Sequence, residues 1–148
     1  MCSSDLLPEH PVADLFLMTP EELVAALFHD PAAGAGMLPA EPSVDFVLAQ
    51  YRDLSALARF SWTPFLCNPK LERRLRRITA PTLVGCPSDD RLVPVEHGQR
   101  YAERIGGARY AEVADCGHAM YFERPAEFAG LVASFLAEQN TEQKGASR

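Results

Sequence analysis

Between Thr82 and Leu136 the residue pattern switches twice between a short apolar run and a helical stripe, and this switching restricts the available folds more than any other feature. Thr82-Leu83-Val84-Gly85-Cys86 is a continuous apolar run after Pro81, followed by the polar stretch Pro87-Ser88-Asp89-Asp90-Arg91. A strand with no polar alternation is what a parallel sheet covered on both faces requires. Val95, Gly98, Ala102 and Ile105 then mark one helix face, and Gly106-Gly107 marks its end. Ala108 to Val113 reads as a second strand and Asp115-Cys116-Gly117-His118 as a loop. Pro125 opens a last helix, striped by Phe128, Leu131, Val132, Phe135 and Leu136. Strand, loop, helix, strand, loop, helix is the pattern of a βαβ crossover in an α/β fold with two parallel strands. Loops after the carboxyl ends of such strands gather along one rim. Asp90 follows the first strand and His118 the second, so topology alone predicts that the two can meet.

Upstream of Ile78 the signals are helical and broken by proline. Thr19-Pro20-Glu21-Glu22 predicts a helix start, with Thr19 as cap, Pro20 at the first position and Glu22 closing a capping box. Met18 and Leu23 sit where a hydrophobic staple would close over it, and Asp30-Pro31 stops the helix. Residues 30–42 are rich in Pro, Ala and Gly and read as a loop. A second helix is expected from Ser43, with Val47, Tyr51, Leu54 and Ala58 at helical spacing and Phe46 and Leu57 widening the stripe. Asn68-Pro69 starts a third, with Leu71, Leu75 and Ile78 on its apolar side. The organisation read from these signals is an irregular N-terminus (1–10), a helical segment (11–70), an α/β segment (71–138) and a polar tail (139–148) expected to fray after Asn140.

Composition narrows the function classes. The chain has 148 residues, with 14 Lys+Arg against 20 Asp+Glu and a net charge of -6. At 47% hydrophobic and 23% charged it is globular rather than disordered in character. The acidic balance disfavours nucleic acid and anionic membrane as partners. The basic cluster Arg73, Arg74, Arg76 and Arg77 reads as a solvated helix face beside Glu72. Cys2, Cys67, Cys86 and Cys116 form no C-x-x-C pair, so reduced thiols and a cytoplasmic location are expected. No apolar run approaches bilayer length, and the first residues carry no signal-peptide pattern. His10, His29, His97 and His118 lack metal-ligand spacing, so neither a metal nor a cofactor is expected. His29 at a helix end suits the helix dipole, and His97 is assigned to a helix surface.

The chemistry rests on Asp90 and His118. A carboxylate beside an imidazole sets which ring nitrogen carries the proton and stabilises the imidazolium formed when the other takes one up. Pro81-Thr82-Leu83-Val84, Asp90-Arg91-Leu92-Val93-Pro94, Gly106-Gly107-Ala108, Cys116-Gly117-His118 and Glu123-Arg124-Pro125 occur in the order seen at the C-terminal end of α/β-hydrolases. From about Leu71 to Leu136 the chain resembles that family. Residues 11–70 resemble, less closely, the helical cap these enzymes insert before the strand bearing the acid. The resemblance implies Asp90 as triad acid, with neighbouring Asp89 as the other candidate, and His118 as triad histidine. Pro87 stands where the family usually has glycine, and Cys86 where a bulky residue is common.

None of the eight serines lies in a G-x-S-x-G nucleophile elbow, and the oxyanion-hole turn is missing too. The resemblance therefore implies a truncated hydrolase, inactive alone, whose absent serine would attack an ester, acyl or carbon-carbon bond of a small molecule. Cys116, two residues from His118, is a poor substitute, because neighbouring loop residues rarely aim at each other. Most of Phe16, Phe28, Phe46, Tyr51, Phe60, Trp62 and Phe65 read as core of the helical segment. Trp62 and Phe65, beside a proline break, are the candidates for a substrate pocket. The competing readings are a non-catalytic interaction fragment and an acyltransferase. A two-stranded parallel sheet leaves an open edge, so homodimerisation through it is also expected.

Overall fold

The computed structural model describes residues 7, 9–61, 68 and 70–146. The two expected strands, β1 (Leu83–Pro87) and β2 (Arg109–Val113), pair in parallel, Leu83 opposite Arg109 through Pro87 opposite Val113. Arg109 N donates to Thr82 O and Ser88 N to Val113 O, each at 2.9 Å, extending the ladder at both ends. Among the described residues the sheet is two-stranded.

Helices cover both faces of this sheet, in keeping with the continuous apolar run of β1. On one face lies α4 (Val95–Arg104), packed so closely that a Cβ on Gly98 would fall 1.8 Å from Cys86 Sγ. On the other lie α5 (Met120–Glu123) and α6 (Pro125–Ala146). There Val113, Cys116 and Met120 form a buried cluster with Leu131 against it. A second cluster joins Leu75 of α3 (Leu71–Leu75) to Ile105 at the end of α4, with Leu71, Tyr101 and Ala108 around them.

The helical segment begins as its signals require. α1 (Pro20–Leu27) carries the full capping box: Thr19 Oγ1 accepts from Glu22 N at 3.2 Å, and Thr19 N donates to Glu22 Oε2 at 2.8 Å. α2 (Val44–Ser61) starts under Ser43, whose Oγ accepts from Phe46 N at 3.2 Å. Phe28, just past α1, is buried.

Several expectations are corrected. Residues 31–37, expected as loop, form a 3-10 helix (Pro31–Met37), because Asp30 caps Ala32 N at 2.9 Å and Pro31 occupies the first position. α2 buries none of its residues, so its stripe is not a core: Val47 is 53%, Tyr51 71% and Phe60 90% exposed. Only Phe46, Gln50 and Leu54 turn toward α1, where they close an apolar cavity of about 300 Å3 with Met18, Leu23, Val24 and Leu27. His97 is not on a helix surface. It is 3% exposed, because α4 packs on α3 as well as on the sheet and so buries a wider face than its apolar residues mark. His97 Nε2 lies 2.6 Å from the His10 carbonyl, to which it donates. Glu72 does not stay among the neighbouring arginines but pairs with Arg100 and Arg104 of α4. α5 was not anticipated. α6 continues to Ala146, past the expected fraying point. Trp62 and Phe65 lie outside the described residues.

Candidate active site

Asp90 and His118 meet at the rim of the sheet. His118 Nδ1 lies 2.8 Å from Asp90 Oδ2. The other carboxylate oxygen, Oδ1, accepts from Leu92 N at 2.9 Å and Val93 N at 2.8 Å. Three donors therefore hold the carboxylate, whose side chain is only 6% exposed, while that of His118 is 41% exposed. A carboxylate only accepts, so the ring proton sits on Nδ1 and Nε2 keeps a free lone pair. This is the tautomer a general base needs.

Asp89, the other candidate acid, is turned away. Its Oδ2 accepts from Ser88 Oγ at 2.6 Å and lies 3.3 Å from His29 Nδ1. The Ser88 hydroxyl, with the nearby His29 and Arg91, outweighs burial and holds the Asp89 carboxyl below its usual range. Adjacent aspartates thus serve different histidines.

The loop carrying His118 is held by backbone. Asp115 takes a φ of 50°, a left-handed turn that aspartate tolerates better than most residues. Arg124 Nε and Nη2 grip its carbonyl at 3.2 and 2.9 Å. Asp89 N donates to Cys116 O at 2.9 Å, which joins the acid loop to the histidine loop. The end of α1 braces both: Ala119 N donates to Leu27 O at 2.9 Å, and Arg91 Nη1 donates to Ala25 O at 2.7 Å. The arginines next to Asp90 and in Glu123-Arg124-Pro125 therefore act on backbone carbonyls.

The hydrogen bond to Asp90 raises the His118 pKa above the ordinary 6.5; burial opposes it, and the Asp90 charge adds to it. A histidine raised on folding contributes stability that is fully present below its unfolded value and lost as pH climbs through the folded one. As a base it must be neutral, so its competence grows over that same interval above 6.5. An NMR titration of the ring should give a midpoint above that of a denatured control; a midpoint at or below the control would contradict the ion-paired geometry.

Cys116 is fully buried, its Sγ lies 3.5 Å from Gly117 O, and burial pushes its thiol up, keeping it protonated. Both features work against a nucleophilic role. A hollow of about 280 Å3 does open beside the pair, lined by Val84, Pro87, Asp90, His97, His118 and Met120 among others. Glu123 is the residue that sequence reasoning left without a role: its Oε2 accepts from Gly117 N at 2.6 Å and its Oε1 from Asp30 N at 3.0 Å. The signal was present in Glu123-Arg124-Pro125, but not its target. Among the described residues, no group of three or more His, Cys, Asp or Glu could hold a metal ion, and no helix is long and apolar enough to cross a membrane.

Comparison with known proteins places the chain in a family. Residues 3–131 match the model of the alpha/beta hydrolase family. The 2-hydroxy-6-oxo-6-phenylhexa-2,4-dienoate hydrolase of Comamonas testosteroni is 41% identical over 66 residues, 45% of this chain and 23% of that protein. The 2-hydroxy-6-oxononadienedioate/2-hydroxy-6-oxononatrienedioate hydrolase of Klebsiella pneumoniae is 39% identical over 69 residues, 47% of this chain and 24% of that one. A variant of the meta-cleavage product hydrolase CumD has a similar fold, with a TM-score of 0.61 at 21% identity over 80% of this chain and 44% of that structure. The chain spans about a quarter of the length of the curated relatives it matches.

Proposed function

The chain belongs to the alpha/beta hydrolase family, and from that premise we propose that it supplies the acid and the histidine of a hydrolytic triad to a serine this sequence does not carry. The observation that carries the reading is the 2.8 Å contact between Asp90 and His118 through Nδ1, with no partner on Nε2 among the described residues. In the reaction, the serine hydroxyl attacks the scissile carbonyl while His118 Nε2 takes its proton. Asp90 stabilises the resulting imidazolium, which returns the proton to the leaving group. Water, deprotonated by the same nitrogen, then releases the acyl enzyme. The relatives' names give small oxo-dienoate compounds as what they hydrolyse, and the bond proposed here is an ester, acyl or carbon-carbon bond of a small molecule. The hollow that holds the pair, lined also by Val84, Pro87, Val93 and Met120, favours an apolar acyl or aryl portion. Trp62 and Phe65 remain candidates for substrate binding.

The test is hydrolysis of a p-nitrophenyl ester by the chain alone and by the chain mixed with the nucleophile-bearing segment of the Comamonas hydrolase. We expect the chain alone to match its own His118→Ala variant, and the mixture to turn over in a His118-dependent way. Turnover by the chain alone that His118→Ala abolishes would overturn the need for an external serine.

A second reading is favoured by one observation: the unburied stripe of α2, with Val44, Val47, Tyr51 and Phe60 exposed. On that reading the chain is an interaction fragment that self-associates. Light scattering across a range of concentrations would show a mass that grows with concentration; a constant monomer mass would reject it.

A further inference from the structure

We infer that Glu123 is the positioning residue for His118, a side-chain clamp that ties the loop bearing the imidazole to the end of α1; the role rests on the triad reading above. Backbone N–H groups on either side of His118, those of Gly117 and Ala119, are both tied to the same short stretch. On one side Ala119 N donates directly to Leu27 O at 2.9 Å. On the other, Gly117 N donates to Glu123 Oε2 at 2.6 Å, while Glu123 Oε1 accepts from Asp30 N at 3.0 Å.

Two backbone donors from segments far apart in sequence thus converge on one side chain. Only an acceptor with two oxygens and no proton of its own satisfies both, and a carboxylate is that group. Burial pushes the Glu123 carboxyl up, but the backbone N–H groups of Gly117, His29 and Asp30 overcome this and hold it below its usual range. Glu123 closes α5, and Arg124 beside it grips Asp115 O. The two neighbouring residues therefore pin the loop on both sides of Cys116. With Gly117 released, the peptide preceding His118 is free to turn, and the 2.8 Å contact with Asp90 loses the constraint that aims it.

The experiment is proton NMR of the unaltered chain and of its Glu123→Ala, Glu123→Gln and Asp90→Asn variants, following the hydrogen-bonded Nδ1 proton of His118 downfield of the amides. The expected result is a resonance present in the unaltered chain, lost in Asp90→Asn and in Glu123→Ala, and recovered at least in part in Glu123→Gln, which keeps one acceptor. A Glu123→Ala chain that melts earlier yet keeps the resonance would make Glu123 a structural residue only and overturn the inference. If Glu123→Ala does not fold, the unaltered chain decides. The Gly117 amide proton and the Glu123 carboxyl carbon should titrate in one step, below the usual carboxylate range, and separate titrations overturn the clamp. A resonance indifferent to Asp90→Asn would instead remove the triad reading itself, so the two failures are distinguishable.

Discussion

Asp90→Asn is expected to leave the fold intact and to lower His118-dependent hydrolysis by about ten-thousand-fold in the chain complemented with a nucleophile-bearing segment, the scale known for this substitution in Ser-His-Asp enzymes. The geometry explains why an isosteric change should do so much. Oδ1 receives two backbone N–H groups, from Leu92 and Val93, so the amide oxygen of an asparagine must occupy that position. Its NH2 group then falls at the Oδ2 position, facing His118 Nδ1. An NH2 donates, so Nδ1 must become the acceptor and the ring proton moves to Nε2. The histidine is then neutral in the wrong tautomer and presents a proton where it should take one. The raised His118 pKa should fall in the same variant, since the hydrogen bond to Asp90 is the largest cause of the rise. The measurement is kcat of the complemented enzyme beside the ring titration. A kcat within about tenfold of the parent would mean that Asp90 is not the orienting acid.

Gly117→Ala should be the most damaging single-methyl change in the histidine loop. A Cβ at residue 117 would lie 2.5 Å from His29 N, 2.6 Å from Phe28 C and 2.8 Å from Leu27 O. All three are backbone atoms, so no side chain can swing aside, and the loop must separate from the end of α1. That separation would break Ala119 N to Leu27 O and pull Glu123 away from Asp30 N. Overpacking of this kind costs about 1–3 kcal/mol, and the lost hydrogen bonds add to it. Thermal melting should show a Tm lowered by several degrees, and the His118 titration should move toward that of a free histidine. An unchanged Tm with an unchanged titration would show that the close approach is not required.

The contrast between Asp90 and His97 shows where sequence reasoning works. The pairing of Asp90 with His118 was legible because it needs only the order of two strands and the rule that their following loops share a rim. The choice of Asp90 over Asp89 was implied by resemblance to the family, and the two aspartates do separate onto His118 and His29. The burial of His97 was not legible. It depends on how far α4 leans onto its neighbours and on a carbonyl from residue 10, far away in the chain. The stripe of α2 misled for the opposite reason: periodicity says which face of a helix is apolar, not whether anything lies against it.

What the sequence determined by itself is therefore local or topological. Helix caps, proline stops, the two strands and the rim they share follow from short-range sterics, hydrogen bonding and chain order. What only the tertiary structure decided is which groups from distant segments converge. Glu123 became the acceptor for Gly117 and Asp30, Gly117 was pressed against the backbone of α1, and Arg91 reached carbonyls in the same stretch. Such convergence depends on the relative placement of packed elements to within about an ångström, the tolerance at which hydrogen bonds and van der Waals contacts form or fail. Residue type and spacing carry no information at that scale.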